Sequence, residues 1–196
     1  MAEAAPQPLK FDIRVAGSHD VRYAEAVCEL IEAAAKIRGT GIAKRQPEYI
    51  AGKMQNGNAV IALCGEDLAG FCYIETWDHA RYVANSGLIV SPDYRRHGLA
   101  RRIKRRAFLL SRERYPDAKL FGITTSLPVM KINSDLGYRP VTFSELTQDD
   151  VFWRGCQSCP NHDVLTRTNK KHCLCTGMLF DPHAPPPPPP PPDDED

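Results

Sequence analysis

The chain has 196 residues, seven cysteines and 25 basic against 24 acidic side chains, for a formal net charge of +1. That length suffices for one well-buried core with a small appendage, and the charge is too balanced to argue for nucleic acid by itself. No apolar run reaches membrane-spanning length, residues 1–10 lack the basic and apolar regions of a secretory signal, and an odd cysteine count without such a signal speaks against a disulfide framework, so the composition predicts a cytoplasmic protein with reduced thiols.

In chain order, a flexible N-terminus over 1–10 leads into a first strand from Phe11 to Val15. Asp20 is placed to cap a helix whose apolar residues Val27, Leu30, Ile31 and Ala34 recur at helical spacing to about Arg38. Gly39-Thr40-Gly41 breaks it, and Pro47 opens a second helix through Met54 because proline is tolerated at the first helical position. Ala59 to Cys64 and Leu68 to Trp77 read as strands joined by the short turn Gly65-Glu66-Asp67. Ser86 to Val90 is the next strand, followed by a long helix to Tyr115, a strand from Lys119 to Thr124, a short helix from Pro128 to Asp135 and a last strand from Tyr138 to Val141. These elements make one α/β domain over 11–143. A Cys-rich extension over 144–182 follows, opening with a capped short helix that ends at Trp153. The chain closes with a tail over 183–196 in which eight prolines, Pro185 to Pro192, precede four acidic residues. A polyproline run has neither backbone donors nor an apolar face, so the tail is expected to be unpacked.

The chemistry concentrates between Leu88 and Ala100. An apolar strand, Leu88-Ile89-Val90, ends at Ser91-Pro92; Asp93-Tyr94-Arg95-Arg96-His97-Gly98 follows, and Leu99-Ala100-Arg101 opens the long helix. The first turn of a helix carries unpaired N–H groups and the positive end of the macrodipole, which together suit an anion. Gly98 lets the backbone approach such a ligand or take φ > 0. Leu99, Ile103, Ala107 and Leu110 form one apolar stripe, while Arg95, Arg96, Arg101, Arg102, Lys104, Arg105 and Arg106 supply a positive field.

Arg95, Gly98 and Ala100 fit the Arg/Gln-x-x-Gly-x-Gly/Ala signature, and the loop resembles the pyrophosphate loop of the GNAT acyl-CoA N-acetyltransferases. The resemblance implies a mixed central sheet whose fourth and fifth strands splay to admit a pantetheine arm. It also implies acetyl-CoA as co-substrate, held by Leu88, Ile89, Val90, Arg95, Arg96, His97, Gly98, Leu99, Ala100 and Arg101. The family often places a tyrosine that protonates the departing thiolate before a Leu-Gly-Phe; alignment on Leu136-Gly137-Tyr138 puts Asn133 there, and Ser126 at the position of an upstream asparagine. Asn133 cannot act as a general acid, but Asn133 and Ser126 can hydrogen-bond the sulfur or the pantetheine. Glu75, near the end of the third strand, is the leading general base, with Tyr82 and His79 next. The acceptor is expected beside the loop from Arg38 to Arg45, where Lys44 and Arg45 would suit a carboxylate-bearing amine.

The extension carries Cys156-x2-Cys159 and Cys173-x-Cys175. Four thiolates can close a structural zinc site; reduced thiols packed against the main domain are the alternative. Cys28, Cys64 and Cys72 lie within apolar patterns and read as core. The runs Met130–Ser134, Val141–Thr147, Trp153-x-Gly155-Cys156-x-Ser158-Cys159 and Cys173-Leu174-Cys175-Thr176-Gly177-Met178-Leu179 resemble a bacterial GNAT subfamily associated with arginine biosynthesis. That implies acetylation of an amino acid, with glutamate leading, and allows a homodimer. A GNAT enzyme acting on a peptide or protein amine, and a non-catalytic module binding acyl-CoA or nucleic acid, are the other readings. The last is disfavoured because the basic residues lack interleaved aromatics for base stacking.

Overall fold

The computed structural model describes residues 9–38, 44–159 and 161–185. The expectations for the first eight residues, for Gly39-Thr40-Gly41 and for the tail beyond Pro185 lie outside these. Seven strands form one mixed sheet in the order β1-β2-β3-β4-β5-β7-β6. They are β1 Phe11–Val15, β2 Ala59–Cys64, β3 Asp67–Trp77, β4 Tyr82–Val90, β5 Lys119–Thr124, β6 Arg139–Val141 and β7 Thr176–Phe180. The helices are α1 Ala24–Arg38, α2 Pro47–Gln55, α3 Leu99–Arg114, α4 Leu127–Asp135, α5 Asp150–Arg154 and α6 His162–Arg167.

Strand alternation sends successive side chains of β3 to opposite faces. Phe71 and Tyr73 join Val27, Ile31, Ile50 and Met54 in a cluster under α1 and α2. Cys72 and Ile74 join Leu99, Ile103, Ala107 and Leu110 in a cluster under α3, which buries the expected apolar stripe. β4 and β5 pair in parallel at only three positions, Tyr82↔Lys119, Val83↔Leu120 and Ala84↔Phe121, and then part. From Asn85 onward β4 pairs with β3 alone. This is the splay the resemblance implied.

Several local expectations differ. Asp20 does not cap α1: a 3₁₀ turn over Ser18–Tyr23 precedes that helix. The buried Asp20 carboxylate accepts from Gly17 N at 2.9 Å and from Arg14 at 2.6 and 2.8 Å. A charge-assisted, two-pronged partner outcompetes a helix cap for the same oxygens. β4 starts at Tyr82 rather than Ser86, because the tight turn Asp78-His79-Ala80, all at positive φ, returns the chain at once onto β3. The segment read as a separate extension supplies β7, which pairs antiparallel with β5 through Leu120↔Phe180 and with β6 through Arg139↔Leu179. Met178 and Leu179 are 1% and 2% exposed, so this strand is part of the core. Trp153, Leu165 and Cys173 form a third cluster with Phe121 and Phe143.

Candidate active site

The loop after β4 has the geometry of an anion cradle. Gly98 is the N-cap of α3 at φ +70°, and no side chain caps the helix. A Cβ on Gly98 would meet nothing within 4 Å, so the space above it is open. Arg95, Arg96 and His97 are exposed around it, and Arg96 also sits at positive φ. Leu99 is buried as the first rung of the apolar stripe, Ala100 is half-buried, and Arg101 is held by Asp135 at 2.8 Å. Free N–H donors, an open approach and flanking guanidinium groups fit a diphosphate.

Behind the loop, β4 bulges. Between Phe71↔Ile89 and Tyr73↔Ser86 it holds one residue more than β3, with Gly87 at φ +64°. A Cβ on Gly87 would lie 2.4 Å from the Tyr73 ring, so only glycine fits. The bulge re-aims the Leu88 backbone, and Leu88 and Val90 pack toward the α3 cluster while Ile89 packs toward the other face. Across the opening, Ser126 caps α4 and its N–H donates to Thr124 Oγ1 at 3.0 Å. Asn133 is 1% exposed, and its Oδ1 has no hydrogen-bond partner. A buried acceptor without a partner is one that gains from an added hydrogen-bond donor.

Glu75 sits in a dense polar cluster on the α1/α2 face. Tyr73 and Glu75 are two apart on β3, and Tyr49 and Lys53 are four apart on α2; both spacings put each pair on one face. Tyr49 donates its hydroxyl to Glu75 Oε1, and Lys53 Nζ lies 3.4 Å from the same oxygen. Arg45 Nε donates to Tyr73 Oη at 2.6 Å. Lys53 lies over the rings of Tyr49 and Tyr73, at 4.9 and 5.6 Å from their centres. Burial raises the Glu75 carboxyl above its ordinary range, opposed by the Arg45 charge and a hydrogen bond from Ser86. Burial, with Arg45 adding to it, lowers Lys53 to about 8. A carboxylate with raised proton affinity suits a general base, and two cations beside it suit a carboxylate-bearing acceptor.

Not every expected residue gathers here. Tyr82 lies at the far end of β4 from the cradle, paired with Lys119. Its hydroxyl donates to Glu145 O at 3.3 Å and its ring stands edge-on to Phe121, which is a packing role. His79 belongs to the β3–β4 turn. The four cysteines 156, 159, 173 and 175 line one small cavity with Trp153 and Leu165. Among the described residues no group of three or more His, Cys, Asp or Glu side chains is arranged to hold a metal ion, so the zinc reading is not carried forward. Burial, with the neighbouring cysteines adding to it, pushes Cys156 up to about 11 and Cys175 up to about 12. Cys72 is buried, and Cys28 and Cys64 pack against the clusters, as core residues do. A cleft of about 540 Å³ around Arg154, His162 and Lys170 lies apart from both the cradle and the Glu75 cluster. Sequence reading missed Lys53, Tyr49 and Tyr73, for which the two spacings were the available signal.

The Acetyltransferase (GNAT) family profile matches residues 25–121, from α1 through the first half of β5. A comparison with curated protein sequences finds no match. Among solved structures, N-acetylglutamate synthase from Neisseria gonorrhoeae complexed with coenzyme A and N-acetyl-glutamate is similar at TM-score 0.63 and 18% identity over 91% of this chain. The chain spans only 36% of that protein. Rv2747 from Mycobacterium tuberculosis, in complex with CoA, is similar at TM-score 0.61 and 16% identity, over 87% of this chain and 98% of that one. Diaminobutyrate acetyltransferase EctA from Paenibacillus lautus follows at TM-score 0.59 and 11% identity, over 89% and 96%. At such identities the likeness is one of fold. The family match lies on this splayed sheet and its cradle, so the chain carries a domain of the GNAT acetyltransferase fold.

Proposed function

We propose that the acceptor is a small amine bearing carboxylates, glutamate first among amino acids, in keeping with the resemblance to a subfamily associated with arginine biosynthesis. The observation that carries this reading is the placement of Arg45 and Lys53 around Glu75, with Lys53 Nζ 3.4 Å from its Oε1. The guanidinium and ammonium offer the charge that two acceptor carboxylates need, and Glu75 offers a site for the proton the amine must lose before it attacks. The bound ligands of the N. gonorrhoeae structure, coenzyme A and N-acetyl-glutamate, are consistent with it.

In this reading acetyl-CoA lies with its diphosphate on the N–H groups that follow Gly98, among Arg95, Arg96 and His97. Its pantetheine lies along Leu88 to Val90, with Ser126 and Asn133 opposite. The Leu88 amide beyond the Gly87 bulge receives the carbonyl oxygen in this reading as charge develops on it. Glu75 accepts the amine proton, directly or through water, and Lys53 and Arg45 orient the acceptor. A reducing cytoplasmic setting fits the free cysteines.

Thiol release from acetyl-CoA, measured across a panel of amino acids and peptides, tests the reading. Turnover with glutamate or another dicarboxylate and none with peptides supports it; preference for a cationic amine or a peptide N-terminus overturns it.

A further inference from the structure

The position at which a proton donor was sought holds Asn133, which cannot protonate a thiolate, yet a buried ionisable group lies over the ring of Tyr138, whose N–H donates to the Asn133 carbonyl. Lys104, on the second turn of α3, is 2% exposed. Its ammonium lies 5.4 Å from the centre of the Tyr138 ring and near the Cys72 thiol. Among the described residues it has no hydrogen-bond or ion-pair partner, and Cys72 is the ionisable group that acts on its charge.

Its two neighbours connect directly to the mouth of the splay. Tyr138 donates its hydroxyl to Asn85 Oδ1 at 3.2 Å, and Cys72 donates to Ser86 O at 3.3 Å. Asn85 and Ser86 are the first residues of β4 beyond its last pair with β5, Ala84↔Phe121. Asn85 Nδ2 donates in turn to Ser111 Oγ at 2.8 Å, and Tyr138 N donates to Asn133 O at 3.1 Å. Lys104, Cys72, Tyr138, Asn85, Ser111 and Asn133 thus form one polar island between α3 and the wedge. A buried ammonium without an anion is costly, and such a site gains most from a ligand that supplies the missing negative charge.

We propose that Lys104 is that partner for the leaving group: its ammonium faces the coenzyme A sulfur as the thioester breaks and gives it a proton. This rests on the acetyl-CoA placement proposed above. The acceptor nitrogen forms its bond to the carbonyl carbon, the carbon–sulfur bond breaks with its electron pair on sulfur, and one Lys104 proton passes to that sulfur. Coenzyme A leaves as the thiol and Lys104 is left as the neutral amine. The proton that Glu75 removed from the acceptor goes to solvent, and one returned from solvent restores the ammonium. Burial brings Lys104 down to about 8, with Cys72 opposing, so it is protonated at neutral pH and can still release its proton. Burial drives Tyr138 far upward, so its hydroxyl stays protonated and serves as scaffold.

The test is the ionisation of coenzyme A bound to the wild-type protein, followed by thiolate ultraviolet absorbance against pH. If Lys104 faces the sulfur, the thiolate fraction of bound coenzyme A at neutral pH, where the lysine still holds its proton, is at least about tenfold that of free coenzyme A. Lys104→Met abolishes that excess, leaves coenzyme A affinity within a few-fold, and lowers kcat about 100-fold with little change in acceptor KM. Lys104→Arg keeps the charge but cannot give up its proton, so it retains part of the excess and still loses turnover. A thiolate fraction in the wild-type complex at neutral pH no greater than that of free coenzyme A, or a folded Lys104→Met variant with kcat within threefold of wild type, overturns the proposal. Failure of coenzyme A to bind at all is a separate result, which removes the acyl-donor reading instead.

Discussion

Lys53 and Lys104 lie on opposite faces of one sheet, the first over Tyr73 and the second near Cys72, consecutive residues of β3. Burial lowers each to about 8. Their company differs. Lys53 has a carboxylate oxygen at 3.4 Å and two tyrosine rings around it, whereas Lys104 has a thiol and a phenol ring. The same desolvation therefore yields two chemistries: one cation is already paired and can share its field with an incoming carboxylate, and the other awaits an anion that the reaction itself generates. Burial sets how readily a lysine gives up its proton, but the neighbours set what it is for.

The largest expected effect separates the two faces. Glu75→Gln removes the proton acceptor of the Lys53 side, and kcat/KM is expected to fall by about 10² to 10⁴. Coenzyme A affinity, measured by calorimetry, stays the same; a matching loss of coenzyme A binding would merge the two sites. Next, Lys53→Met is expected to raise acceptor KM by about 10- to 100-fold while kcat changes less, the reverse of the pattern for Lys104→Met.

Profiles against pH sharpen this contrast. Glu75 must be ionised to accept a proton, so kcat/KM climbs through an acid limb placed above the ordinary carboxylate range. Loss of the Lys53 charge makes kcat/KM fall again as pH rises through about 8. Lys53→Arg, whose charge persists, removes the Lys53 part of that limb from acceptor KM, while the fall of kcat through about 8 that Lys104 imposes stays in place, and rates measured from pH 5 to pH 10, on the order of the range these groups span, separate the two. A smaller effect is expected at the cradle: Arg95→Ala combined with Arg96→Ala raises acetyl-CoA KM about tenfold and acceptor KM less, with the penalty shrinking as salt rises. Equal losses for both substrates would count against the diphosphate placement.

The smallest effect is on stability. An unfolded lysine binds its proton up to about 10.5 but Lys104 in the fold only to about 8, so between those values the unfolded chain holds more protons and stability rises with pH. Below that window the native charge is a burden, and Lys104→Met is expected to stabilise the fold by about 1–3 kcal/mol at pH 7. The advantage fades as pH rises through the window, as urea melts of both proteins will show.

Much of this was legible in the sequence, where local rules decide. β1, β2 and β5 follow their apolar runs residue for residue, and α3 follows its stripe from Leu99. Gly98 and the arginines around it declare the cradle because a tight turn before a basic helix needs few long-range contacts. What escaped depends on partners far apart in the chain. Asp20 is claimed by Arg14, the Gly87 bulge exists because the Tyr73 ring presses on it, and Lys104 looked like one more surface cation in a basic helix. Likewise β7 reads as a stray apolar run until β5 and β6 are placed on either side of it.

That last strand has a consequence for how the molecule is made. β5 touches β4 through three residue pairs and depends on β7 for its other edge. Until residue 180 has left the ribosome, the nascent domain must carry an open, apolar strand margin that could recruit another chain, so assembly waits on a late long-range pairing. Truncation after residue 143 would leave that margin bare for good, and the shortened product is expected to aggregate rather than fold into a smaller enzyme.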